Sequence, residues 1–94
     1  MGGYQIIYQR HAVVRMAQRG VREEDVECVL RTGEVIELYL NDAPYPSELV
    51  FGWCDTGPLH VVVATDIMSK RKIIITVYVP SPDKWEADFK RRKS

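Results

Sequence analysis

The stretch HAVVRMAQRG, residues 11–20, carries His11, Arg15 and Arg19 at intervals of four, with no acid among them. On a helix these three and Gln18 occupy roughly one quarter to one third of the circumference, away from Ala12, Val13, Met16 and Ala17. Solvated helix faces usually mix charge signs, so imidazole and guanidinium alone make a candidate anion-binding stripe. A plain solvated face is the alternative. Two further polar groups stand in apolar runs. His60 interrupts LHVVVATD and by alternation shares a face with Val62, Ala64 and Asp66, while Tyr78 in KIIITVYV shares one with Ile74 and Thr76. A hairpin register that pairs residue 60 with residue 78 sets the two directly across from each other.

His, Tyr and Arg together can cleave RNA without a metal, because the substrate brings its own nucleophile, the 2′-hydroxyl. Imidazole moves protons near neutral pH, and guanidinium grips phosphate through paired hydrogen bonds and stabilises charge building on its oxygens. On this reading the catalytic set is His11, Arg15, His60 and Tyr78, with either histidine as the proton-transfer group, and Arg19 and Lys84 bind substrate. The competing reading keeps His60 and Tyr78 as core-edge residues with internally satisfied hydrogen bonds. Gly-rich phosphate loops, nucleophile elbows and HExxH helices are not found. His11, Cys28, Cys54 and His60 lack the spacing of metal ligands, and no metal or other cofactor is expected.

These residues sit in a chain of 94, the size of one domain with one modest core, and the single domain is expected to span residues 1–94. Two cysteines far apart build no disulfide framework and read as reduced thiols of a cytoplasmic protein. No apolar run reaches membrane-spanning length, so no membrane partner is expected. Net charge is zero but unevenly distributed: residues 1–22 carry +4, residues 23–66 carry −9 and residues 67–94 carry +5. If the basic ends meet, they form a cationic face suited to an anionic ligand, RNA in particular.

Helical spacing over Gln9–Arg19, stopped by Gly20, predicts a first helix. A second is predicted over Glu23–Arg31, with acids at its start, Arg31 at its end and Gly33 beyond. Arg22 is a poor residue for its N-cap. The period then changes to two, and EVIELYL, ELVFGWC, LHVVVATD and KIIITVYV predict four strands, the last three as an antiparallel meander. The last two are apolar on both faces, which calls for cover on both sides of the sheet. In SPDKWEADFKRRK, Asp83 with Glu86 three residues on, and Trp85 and Phe89 one turn apart, predict a short third helix. The expected fold is α+β, with two N-terminal helices, a four-stranded, mainly antiparallel sheet and a short C-terminal helix.

The ordered series HAVVRMAQRG, VREEDVECVL, GEVIELY, PYPSELVFG, PLHVVVA and ITVYVPSPDKW resembles the bacterial family known as domain of unknown function 4258, over about Tyr8 to Arg92. The family is similar, more distantly, to the RelE and BrnT toxin folds and is associated with zinc-finger antitoxins like those of the motility quorum-sensing regulator system. The resemblance implies a toxin of a toxin–antitoxin pair that acts on RNA, on the ribosome or free, with an antitoxin protein as partner. It places the family's polar positions on His11, Arg15, Arg19, His60 and Tyr78, and gives Pro80, Asp83 and Trp85 a structural role. Arg22 stands where the family commonly has Ser or Thr. The alternative is a noncatalytic protein-binding module.

Overall fold

The structure, a computed structural model, describes residues 3–94. Its elements are β1 (Gln5–Tyr8), α1 (Arg10–Arg19), α2 (Glu23–Thr32), β2 (Glu34–Tyr39), β3 (Ser47–Cys54), β4 (Gly57–Asp66) and β5 (Arg71–Tyr78). They form one five-stranded sheet in the order β1-β5-β4-β3-β2. Strands β2 to β5 pair antiparallel, whereas β1 lies parallel to β5, with Tyr8 beside Ile74.

This corrects the expected four-stranded sheet. QIIY is too short to announce itself by periodicity, and its partner lies more than sixty residues away, beyond both helices and three strands, so only the tertiary pairing reveals it as a strand. The predicted C-terminal helix is likewise absent. Residues 84–93 instead fold back as a small hairpin: Trp85 bridges Arg92, the Glu86 N–H donates to the Arg91 carbonyl at 2.8 Å, and the Lys93 N–H donates to the Lys84 carbonyl at 2.9 Å. Phe89 turns the corner with φ of 58°. The local helix signals lose to tertiary burial. Trp85 sinks edge-on against the His60 ring at 4.5 Å between centroids, and the Arg92 guanidinium lies 4.6 Å over the Trp85 ring.

Both helices pack on one face of the sheet. Ala12, Met16, Val26 and Val29 meet Val50, Leu59, Val61, Val63, Ile74 and Val77 there. Each fully buried Val or Leu contributes roughly 1.5–3 kcal/mol, which makes this face the main source of stability. The opposite face carries Phe51, His60 and Tyr78, and the C-terminal hairpin covers it through Trp85 and Phe89.

Gly20 closes α1 in the left-handed region, with φ of 67°, as its position after the last apolar residue predicts. At α2, the poor cap Arg22 is offset by Asp25, whose carboxylate accepts from the Arg22 backbone N–H at 2.9 Å and from its guanidinium at 3.1 Å. Gly33 after α2 is needed for space. A Cβ there would come within 2.6 Å of the Val29 carbonyl oxygen and closer still to that of Phe51, and neither backbone atom can step aside. Gly33→Ala is therefore expected to destabilise by roughly 1–3 kcal/mol, at the upper end of overpacking costs, read as a lower urea midpoint. An unchanged midpoint would show that β3 and α2 can part.

Candidate functional site

Strand β5 outruns β1, which ends opposite Ile74, and α1 begins at once beside it: the Gln9 N–H donates to the Ile74 carbonyl at 3.0 Å. In the space next to the last residues of β5 lies a hollow of about 360 Å³. From α1 it receives His11, Arg15 and Arg19, from β5 Thr76 and Tyr78, and from the chain beyond β5 Val79, Ser81, Lys84, Trp85 and Arg92. No acid is among these residues. His11, Arg15 and Arg19 are exposed, and among the described residues none of Arg15, Arg19 and Lys84 has an acidic partner at ion-pair distance.

Helical spacing explains the first three, since every fourth residue returns to one side while Ala12 and Met16 pack into the core. Tyr78 reaches the hollow because of a β-bulge. The β4–β5 register runs His60 to Tyr78 and Val62 to Thr76, then slips, so that Val63 faces Ile74 and Ile75 is left over. Ile74, expected on the Tyr78 face, thereby turns to the helices and is fully buried. Without the extra residue, either Tyr78 or Ile74 would point the wrong way.

The predicted pairing of His60 with Tyr78 is present, but His60 does not line the hollow. Its side chain is 0 % exposed, beneath Trp85 and Tyr78. Nε2 lies 2.8 Å from the Phe89 carbonyl oxygen and Nδ1 lies 3.2 Å from the Tyr78 hydroxyl. A carbonyl only accepts, so Nε2 carries the proton, and the Tyr78 hydroxyl donates to the bare Nδ1. Burial pushes the His60 pKa down, with the Phe89 carbonyl and the Glu37 charge pulling weakly the other way and Arg92 adding to the depression. Burial pushes Tyr78 up. Passing the Tyr78 proton to His60 is thus opposed at both ends, and the pair acts as a fixed hydrogen bond between neutral groups.

Arg92 is the residue that sequence reasoning missed, because a basic tail reads as frayed chain. Its guanidinium makes two bonds to the Glu37 carboxylate, at 2.8 and 3.0 Å, and Glu37 also accepts from the Tyr39 hydroxyl at 2.6 Å. Glu37 is held below the usual carboxylate range, first by the Arg92 bond, and Tyr39 is pushed up to about 12, first by burial. Lys90 adds a 2.8 Å ion pair to Glu34. Edge strand β2 thus ties down the hairpin that walls the hollow. The one available signal was the acidic β2 facing eight bases in the last third of the chain.

Lys84 lines the hollow with the three α1 side chains. Cys28 and Cys54 are free thiols, and among the described residues no three His, Cys, Asp or Glu side chains stand close enough to share a metal ion. Asp66, on the hollow's side of β4 by alternation, is occupied elsewhere: it accepts from Arg71, Tyr45 and the Ser69 N–H, and the Arg71 guanidinium chiefly holds its carboxyl at about 2. Among the described residues no helix is long and apolar enough to cross a membrane.

No curated protein and no solved structure matches the chain significantly. The model of the family described as Domain of unknown function (DUF4258) matches residues 8–79, which take in α1, the whole sheet from β2 to β5 and all of the hollow's lining but the C-terminal wall, and the chain belongs to that family.

Proposed function

We propose that the chain binds RNA through this hollow and cleaves it without a metal ion, with His11 rather than His60 moving the proton. The observation that supports the reading is the meeting of His11, Arg15, Arg19 and Lys84 in one acid-free hollow, alongside Tyr78. The volume, about 360 Å³, suits a nucleotide-sized ligand. Arg15, Arg19 and Lys84 neutralise a backbone phosphate, and the 2′-hydroxyl of the RNA attacks that phosphorus after giving its proton to water. The bond to the 5′-oxygen breaks, His11 supplies the proton that this leaving alkoxide needs, and the products are a 2′,3′-cyclic phosphate and a free 5′-hydroxyl. Sealed under Trp85 with both nitrogens engaged, His60 orients Tyr78 and meets no substrate. A toxin role, with an antitoxin protein that masks the hollow, follows from the same reading.

The test is binding of single-stranded RNA as salt is varied. Each phosphate neutralised contributes roughly 0.7 to the slope of log K against log salt. Arg15→Ala with Arg19→Ala is expected to take that one phosphate's share, up to roughly 0.7, out of the slope and weaken binding at every salt. A slope that the double variant leaves unchanged removes the proposal. The toxin part predicts growth arrest on expression that the same double variant relieves; arrest that persists in the variant counts against it.

One observation favours the rival, a noncatalytic protein-binding module. Leu38, Leu40 and Ile67 are all more than half exposed and border one shallow groove beside edge strand β2. No cleavage of RNA, either alone or with ribosomes, would favour that reading over the nuclease.

A further inference from the structure

We infer that the Tyr78 oxygen is the hollow's acceptor for a ribose 2′-hydroxyl, so that the site selects ribonucleotides over deoxyribonucleotides, with His60 as the positioning residue behind it. This rests on the RNA reading above and names what distinguishes its substrate. The argument is one of counting hydrogens. Phe89 offers His60 only a carbonyl, at 2.8 Å, which fixes the Nε2–H form of the ring. The bare Nδ1 then takes the single hydrogen of Tyr78, at 3.2 Å. Tyr78 has no second hydrogen to give, and what its oxygen can offer a ligand in the hollow it lines is lone pairs alone.

The surroundings make that acceptor distinctive. Arg15, Arg19, Lys84 and Arg92 are donors without any acceptor capacity. Glu37, the carboxylate that Arg92 holds, is also taken up by Tyr39. Ser81 Oγ already accepts from the Asp83 N–H at 3.1 Å, and the Thr76 hydroxyl can rotate to serve either role. A phosphodiester bears no hydrogen, so it satisfies the cations and leaves Tyr78 unmatched. A ligand that satisfies both carries a hydroxyl next to its phosphate. RNA has that hydroxyl on every sugar, and DNA lacks it. Because the ring that sets the Tyr78 hydrogen is itself set by the backbone of the C-terminal hairpin, the selectivity is built by a segment outside the stretch that the family model matches.

The experiment titrates the full chain with uridine 3′-monophosphate, 2′-deoxyuridine 3′-monophosphate and inorganic phosphate, in the wild type and in Tyr78→Phe. The wild type is expected to bind the ribonucleotide roughly three- to tenfold more tightly than the deoxyribonucleotide, the worth of one neutral hydrogen bond. Tyr78→Phe equalises the two. Equal affinities in the wild type, or a preference that survives in Tyr78→Phe, overturn the inference while phosphate binding still supports the cationic site. If neither nucleotide nor phosphate binds, the RNA reading fails and takes the inference with it. A second measurement is independent of any variant's folding: the ¹⁵N–¹H spectrum of the labelled imidazole reports the tautomer, and a proton on His60 Nδ1 overturns the assignment.

Discussion

His11→Ala is expected to slow RNA cleavage by roughly a hundredfold to ten-thousandfold, the usual worth of a positioned proton-transfer group, while RNA affinity falls far less. The split between the two effects is the informative part. An alkoxide leaving from phosphorus needs a proton at the moment its bond breaks, so an acid acts on the transition state and little on the bound ground state. Arg15 and Arg19 hold phosphate before and during the reaction, and their loss weakens binding as well as rate. His11 is exposed, on the first turn of α1, and is not part of the buried core, so alanine there leaves the fold intact. Cleavage retained by His11→Ala at the wild-type rate would remove His11 from the chemistry. With His60 sealed, no other imidazole in the chain could replace it.

The second large effect falls on stability. His60→Ala is expected to destabilise the fold by roughly 3–5 kcal/mol, through a cavity beneath Trp85 and the loss of the partners of the Tyr78 hydroxyl and the Phe89 carbonyl. The C-terminal hairpin should loosen first, because His60 is its anchor on the sheet, and faster amide exchange at Glu86, Phe89 and Lys93 would report it. The same residue makes stability depend on pH. Its folded pKa lies below the unfolded value, so below about pH 6.5 the unfolded chain binds a proton that the folded chain refuses. The stability is fully present above that pH and is lost as pH falls toward the folded value, at no more than about 1.4 kcal/mol per pH unit. A wild type whose unfolding midpoint stays flat between pH 7 and 5, or a His60→Ala variant that keeps the full decline, would contradict burial of a neutral His60.

The composition of HAVVRMAQRG was enough to line up His11, Arg15 and Arg19, because helical periodicity is local and Ala12 and Met16 fix which side turns inward. Alternation along β4 and β5 offered a register that sets His60 opposite Tyr78, and that pairing is present, but the register beside the turn would set His60 against Val77 and only the bulge at Ile75 supplies the missing residue. Those relations depend on neighbours a few residues apart, or on one hairpin. The family, too, was legible in the ordered motifs, and its model matches residues 8–79.

What lies between distant segments was decided only in three dimensions. The parallel strand β1 depends on a partner at the far end of the chain, and four residues hold too little pattern to declare it. The bulge at Ile75 sends Ile74 and Tyr78 to opposite faces, although strict alternation puts them on one. Asp83, Glu86, Trp85 and Phe89 spell a helix by every local rule, but a short helix gains only about a kilocalorie from its cap, whereas burying Trp85 against His60 and bonding Arg92 to Glu37 gain more. That outcome turns His60 from a candidate base into a support. Local chemistry determined which side chains face together; whether water and substrate can reach them was set by a tail whose anchors lie across the sheet.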